Sequence, residues 1–419
     1  MKKIIAAILS AWVGLFGYTI VDTAIEARMT TAESEISELK GEVSMLRGEI
    51  SEYHAMNPAP TTTARPSTTT TRPSTTTTTT RPGTTTTTTR PVTTTTTRPA
   101  TTTTTTSGET YVVDSGYCGD YATWTLYSDG KLVVSGKGAM YNTTPAWSGY
   151  KGKIKTVVIE NGVTSICGSA FRYCTNLENV TIPDSVTSIG SDAFYGCPSL
   201  KNVTIPDSVT SIGESAFFYC TSLESVTIPD SVTSIGSDAF YCCTSLESVV
   251  IGNGVKSIGR EAFYGCTSLE SVTIPDSVTS IGYYAFYGCT SLESVVIGDG
   301  VETIGLQAFY NCTSLESVTI PDSVTSIDYY AFNGCTSLES VVIGSGVKTI
   351  YGNAFYNCTN LKTVTLGKNV TGIGEMAFAA CGNITDVYYA GTEAEWNKIS
   401  IGDSNARLTD ATIHYNYTA

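Results

Sequence analysis

Ten cysteines, from Cys174 through Cys197, Cys220, Cys243, Cys266, Cys289, Cys312, Cys335 and Cys358 to Cys381, stand 23 residues apart without a slip. The phenylalanines from Phe171 to Phe378 keep the same step, each with an alanine before it. A fixed period of this size constrains the fold more than any other feature. Each repeat is one small unit that cannot bury its apolar side alone, so neighbours must stack on one another.

One copy can be folded on paper. Val272 and Ile274 point one way and Ser271 and Thr273 the other, as in a strand, with Leu269 joining the inner set. Pro275-Asp276 ends the strand, Val278 and Ile281 mark a second short extended segment, and Gly282 permits a bend. Ala285, Phe286 and Cys289 have the spacing of one short helical turn with an inward stripe. Stacked coils bring equivalent strands about 4.8 Å apart in a parallel sheet, so ten copies span on the order of 50 Å. The expected fold is a β-rich α/β solenoid. From Val249 onward, "VVIGNG", "VVIGDG" and "VVIGSG" alternate with "VTIPDS", a double period of 46 residues that reads as duplication of a pair.

The outward letters are the candidate ligand contacts. Ser225, Ser248, Ser271, Ser294 and Ser317 form one row, with Thr227, Thr273 and Thr319 beside them and Glu247, Glu270, Glu293 and Glu316 at the strand's edge. Solenoids use such flat surfaces for binding; strand propensity and solubility alone also account for Ser and Thr there. Stacked Glu repel one another, which calcium or a basic partner would relieve, although a solvated acidic edge is the simpler reading. A tyrosine column, Tyr195, Tyr241, Tyr264, Tyr287, Tyr310 and Tyr356, follows the phenylalanines and reads as half-buried packing or as anchors for a ligand. The cysteine column reads as buried structural thiols, ahead of disulfides or metal. Ten unpaired cysteines point to an anaerobic or reducing niche. Cys118, Cys167 and Cys242 fall off the column, and Cys118 with Cys167 is a conceivable bridge.

The formal net charge of −14 over 419 residues excludes a nucleic-acid binder. Only two histidines occur, His54 and His414, both outside the repeats. With no phosphate loop, nucleophile–base pair or metal set, the chain reads as a non-enzyme without a cofactor. Identical carboxylates in every coil look like a lattice, not a glycosidase pair.

Ahead of the repeats the text changes four times. Residues 1–21 hold Lys2, Lys3 and an apolar run from Ile4 to Val21, expected to be a signal anchor with the C-terminal region outside. A cleaved signal peptide is the alternative and leads to a secreted protein. Residues 22–57 form a heptad seam, with Met29, Ile36, Val43 and Ile50 at a and Ile25, Ala32, Leu39, Leu46 and Tyr53 at d. The pairs Arg28–Glu33, Glu35–Lys40 and Glu42–Arg47 suit a parallel homodimer through residues 25–53. Residues 58–110 are threonine runs broken by Arg-Pro, an extended stalk that at about 3.1 Å per residue reaches roughly 140 Å. Residues 111–152 carry a β-hairpin around Ser128-Asp129-Gly130 and are expected to cap the stack.

The unit V-T-I-P-D-S-V-T-S-I-G-x-x-A-F-Y-G-C-T-S-L-E-S resembles the BspA-like leucine-rich repeat family, a match running from about Ile154 to Val387. Residues 153–387 are read as ten such copies and 388–419 as a C-terminal cap. Cys118-Gly119-Asp120 and Tyr388-Tyr389-Ala390-Gly391-Thr392 are similar to segments that flank these repeats in bacterial surface proteins. The resemblance implies a leucine-rich repeat with a parallel β-sheet and short helical turns. It also implies attachment to host or microbial proteins or glycans. The expectation is a membrane-tethered surface protein with a protein or glycan ligand; a non-binding envelope scaffold is the alternative.

Overall fold

The computed structural model describes residues 109–141 and 145–418 of the chain. The signal anchor, the coiled coil and the stalk before residue 109 lie outside the described residues.

Three antiparallel strands come first, β1 (Val112–Tyr117), β2 (Tyr121–Tyr127) and β3 (Lys131–Ala139). The β2–β3 turn needs Gly130, whose φ of 89° is in the left-handed region, while Asp129 Oδ1 accepts the Lys131 N–H at 3.0 Å. β3 then opens the solenoid. Its first half pairs in parallel with β4 (Thr156–Ile159), and its last residues pair with β5 (Val163–Ile166).

From β4 to Thr412–His414 twelve parallel strands stack into one sheet, in register at steps such as Val272 beside Val295. A second sheet runs from β5 through two-residue strands to Ser400–Ile401 and contains the recurring Ser-Ile or Thr-Ile pair, with Gly372–Ile373 the exception. Alternation decides the faces. In Ser271–Ile274 the residues read exposed, buried, exposed, buried. The inner columns of Leu, Val, Ile, Ala, Phe and Cys are buried through all ten copies. The Phe rings stack 5.1–5.3 Å apart from Phe171 to Phe378. Burying each is worth roughly 2–3 kcal/mol.

The third side of the coil, expected as a short helical turn, is a chain of tight turns with its own ladder. Tyr284, Phe286 and Gly288 donate their N–H groups to Leu306, Ala308 and Tyr310 of the next coil at 2.8–2.9 Å. The residues between them, Ala285, Tyr287 and Cys289, donate three residues back within the coil. The alternation follows from the backbone: residues 284 and 288 have φ of 59° and 68°, and the equivalent positions in all ten copies are left-handed. A helix cannot pass through two such residues in one turn. Asn311, Asn357 and Gly265 suit that conformation, whereas Tyr284 and Gln307 adopt it at a cost that the ladder offsets.

The double period also has a structural cause. Where a Pro-Asp-Ser coil is followed by a Gly-x-Gly coil, its Asp faces that coil. Asp230, Asp276 and Asp322 each accept an N–H of the next coil, from Asn253, Asp299 and Ser345. A Cβ on Gly254, Gly300 or Gly346 would lie 1.8 Å from the carbonyl oxygen of that same Asp, so only glycine fits there.

Both ends of the turn-wall ladder are closed by side chains. Ala170 of the first copy has no coil before it to fill its carbonyl; the Trp147 indole N–H donates to it at 2.8 Å, and the ring stacks on Phe171 at 5.5 Å. Phe378 of the last copy has no next alanine, and Asn405 Oδ1 accepts its N–H at 2.9 Å. Asn405 is 3% exposed, and its amide donates to the carbonyls of Gly374 and Gly402. Beyond it, Thr412–His414 adds a last strand to Asp386–Tyr389.

Candidate functional site

Two surfaces of the same coils present different chemistry. The sheet face carries the residues that the repeat pattern singled out. Ser225, Ser248, Ser271, Ser294 and Ser317 pair strand to strand in register, and all are exposed. Thr227, Thr273 and Thr319 are exposed on the same face, each opposite a valine, Val250, Val296 and Val342. Glu247, Glu270, Glu293 and Glu316 are exposed one residue before the strands, joined by main-chain bonds of 2.9–3.2 Å from each Glu N–H to the preceding Glu carbonyl. Their charge column runs unbroken until Lys362, whose Nζ meets Glu339 Oε1 at 2.8 Å. These residues form one polar, acidic face, with an open depression of about 490 Å³ beside Thr227, Val250 and Asp207.

The edge where the second sheet meets the turns carries a second depression, with aromatic walls. An open cleft of about 590 Å³ lies there across five coils, walled by Arg260, Tyr283, Tyr329, Tyr351 and Asp328. Ser280, Thr303 and Ser326 stand along it in register on adjacent strands. Repeat reasoning reaches Tyr283, with Tyr284, as outward letters free to vary, and passes over Arg260, Asp328, Tyr329 and Tyr351 because they belong to no column. The available signal was their variability: the two letters between Ser-Ile-Gly and Ala-Phe are Ser-Asp at 191 and 237 but Arg-Glu at 260 and Tyr-Tyr at 283.

The tyrosine column is a separate feature. Tyr195, Phe218, Tyr241, Tyr264, Tyr287 and Tyr310 stack at 4.5–4.8 Å, and the Arg172 guanidinium lies 4.4 Å over Tyr195. Asn333 interrupts it before Tyr356. Rings in mutual contact over so many coils act as packing at the wall.

Every thiol of the column from Cys197 to Cys381 donates to the carbonyl of the Phe one coil earlier, at 3.0–3.3 Å. Burial pushes Cys174, Cys220, Cys289 and Cys335 up to about 12, so these sulfurs are protonated donors and poor nucleophiles or metal ligands. Cys118 and Cys167 are separate buried thiols that share a small cavity beside Trp147. Burial lifts them to about 12 and about 11, and the neighbouring Cys167 lifts Cys118 further.

One carboxyl departs strongly from its ordinary range. Burial, the nearby Glu261 carboxylate and a hydrogen bond to it raise Asp238 to about 7, with Glu214 adding to the rise and Arg260 opposing it. Among the described residues, no group of three or more His, Cys, Asp or Glu is placed to hold a metal. None of the described helices is long and apolar enough to cross a membrane.

A family model described as the BspA type leucine rich repeat region matches residues 147–270 and 256–385. Among solved structures, the chain is similar to a leucine rich cell surface protein from Faecalibacterium prausnitzii A2-165, at 28% identity over 68% of this chain and 97% of that one, with a TM-score of 0.33. It is also similar to a leucine-rich repeat protein from Bacteroides ovatus ATCC 8483, at 27% identity over 71% and 99%, with a TM-score of 0.32. A third, from Eubacterium ventriosum ATCC 27560, has 23% identity over 74% and 96%, with a TM-score of 0.42. No curated protein matches the chain.

Proposed function

The chain belongs to the BspA-type leucine-rich repeat family, and from that footing we propose that it is a membrane-tethered surface protein that works by binding a protein or glycan partner. Proteins built of these repeats generally act by contact and not by catalysis. The observation that carries the reading is the in-register, fully exposed sheet face, which offers a macromolecule twelve equivalent Ser, Thr and Glu contacts on a rigid support. Rigidity matters because a pre-ordered surface loses little entropy on binding. The apolar run of residues 1–21 supplies the tether, the heptads of residues 25–53 the pairing, and the Thr/Arg-Pro segment the reach. Paired display converts weak single contacts into avidity.

The full chain is tested against panels of extracellular-matrix proteins, whole cells and glycans by a surface-binding assay. Saturable binding to at least one of them is expected. It should weaken about tenfold or more when Ser271, Thr273 and Ser294 are changed together to Arg, which adds bulk and offsets much of the face's negative charge. Absence of binding across all panels sinks the reading. Unchanged binding by the variant moves the contact off this face. Residues 22–60 sedimenting as a monomer at high concentration would remove the pairing.

A further inference from the structure

We propose that the cleft walled by Tyr283, Tyr329, Tyr351, Arg260 and Asp328 is a glycan-binding site for a neutral, hexose-based oligosaccharide. It rests on the surface-contact reading and adds to it a place and a ligand class.

The aromatic walls are the first reason. Tyr283, Tyr329 and Tyr351 are 54%, 47% and 37% exposed, among the most exposed rings of the repeats. The core has no use for them, since each coil's inner ring is already its Phe. The wall is also cleared for them. Tyr283 lies over Gly305, where a Cβ would come within 2.7 Å of Tyr283 Cδ1. Tyr329 leans beside Gly352 and packs at 4.9 Å on Tyr351. Exposed, positioned tyrosines supply broad apolar contact at low entropic cost, each with a hydroxyl at its tip.

The second reason is the row of hydroxyls. Ser280, Thr303 and Ser326 repeat along the cleft at the strand spacing of about 4.8 Å. Tyr283 and Tyr329 stand two coils apart, so their rings are spaced at about 10 Å by the same rise. A chain of pyranose units offers the matching pattern of apolar C–H faces and regularly spaced hydroxyl rims.

Charge selects among glycans. Arg260 and Asp328 bring one charge of each sign to the walls, and the chain as a whole carries −14, which disfavours polyanionic sugars. A peptide that binds by strand addition seeks an open sheet edge. Here the strands on either side of the cleft are already paired.

The test uses the full chain and three probes, cellohexaose, maltohexaose and mannohexaose, followed by calorimetric titration and tyrosine fluorescence. The expected result is saturable binding of at least one probe. Tyr283→Ala with Tyr329→Ala should weaken it about tenfold or more, while Tyr283→Phe with Tyr329→Phe stays within about threefold because the ring faces remain. Gly305→Ala, whose Cβ would press on the Tyr283 ring and on the Ile281–Gly282 backbone beside it, should also weaken it. Circular dichroism and the melting temperature establish that each variant is folded. Wild type that binds a protein or cell panel but none of the three probes overturns this site and leaves the surface-contact reading standing. Probe binding unchanged in the folded double-alanine variant also overturns it. Absence of binding to probes and panels alike overturns both.

Discussion

A coil in the middle of the stack and a coil at its end meet opposite problems. Phe286 has Phe263 at 5.2 Å on one side and Phe309 at 5.2 Å on the other, and its N–H finds the Ala308 carbonyl without special provision. Phe171 and Phe378 have such a neighbour on one side only. The chain closes those ends with single side chains that imitate a missing coil. Trp147 supplies both a ring and a donor at the front, and Asn405 supplies an acceptor at the back. Repetition thus provides its own partners everywhere except at its boundaries, where chemistry outside the repeat must be found.

The comparison breaks first if the middle does not dominate. Phe286→Ala removes a fully buried ring from a column that cannot collapse around the gap, because both neighbouring rings are held by their own coils. A loss of about 3–5 kcal/mol is expected in denaturant unfolding. Hydrogen exchange should quicken on both sides of the lesion, as nearest-neighbour coupling in a stack requires. A loss below that of the end variants would mean that the boundaries, not the column, limit stability.

The back end comes next. Asn405→Leu keeps the volume but leaves the Phe378 N–H and the Gly374 and Gly402 carbonyls without that partner in a buried place. The expected cost is about 2–4 kcal/mol. Exchange should rise at the last coil and fall away toward the middle. Uniform exchange along the whole solenoid would show that Asn405 is not an end closure.

At the front, two tryptophans 6.0 Å apart give an internal control. Trp147→Phe retains the stack on Phe171 but removes the donor to Ala170, for an expected loss of about 1–2 kcal/mol in the same unfolding measurement. Trp124 is also buried, yet its indole N–H has no acceptor among the described residues. Trp124→Phe therefore removes an unsatisfied group along with some volume and should cost less than Trp147→Phe. Equal costs would assign both residues to packing alone.

Much of this contrast could be read before any coordinates. The Leu, Val, Ile, Phe and Cys columns follow from one arithmetic step of 23, and all are buried as that step implies. The turn wall was harder. Ala285, Phe286 and Cys289 have the same spacing whether the backbone coils as a helix or as successive turns, and only the sign of φ at Tyr284 and Gly288 separates the two. A hint stood in the two positions after each Phe, where Gly196, Gly265, Gly288 and Gly334 share a slot with Asn311 and Asn357. Trp147 and Asn405 could not be found by periodicity, since each occurs once. The exposed Ser, Thr and Glu ladders could be read because they repeat, whereas the cleft around Tyr283 and Tyr329 is visible only as letters that fail to repeat; its walls come together only in the stack.

The smallest effect tests whether a middle coil's neighbour always helps. At Asp238 the next coil brings Glu261, and burial with that carboxylate holds the Asp238 acid up at about 7, against 3.8 for the free side chain. Between these values the folded state binds more protons than the unfolded one, so this group's contribution to stability falls as pH rises from about 4 to about 7. The side chain is only half-buried, so solvent screening keeps the effect on the order of 1 kcal/mol. Asp238→Asn is neutral throughout and should be more stable than wild type at pH 8, with the difference gone or reversed at pH 4. Melting temperatures of both proteins across that range decide it. Parallel curves would mean that Arg260 already neutralises the pair, and that this neighbour, too, supports the coil beside it.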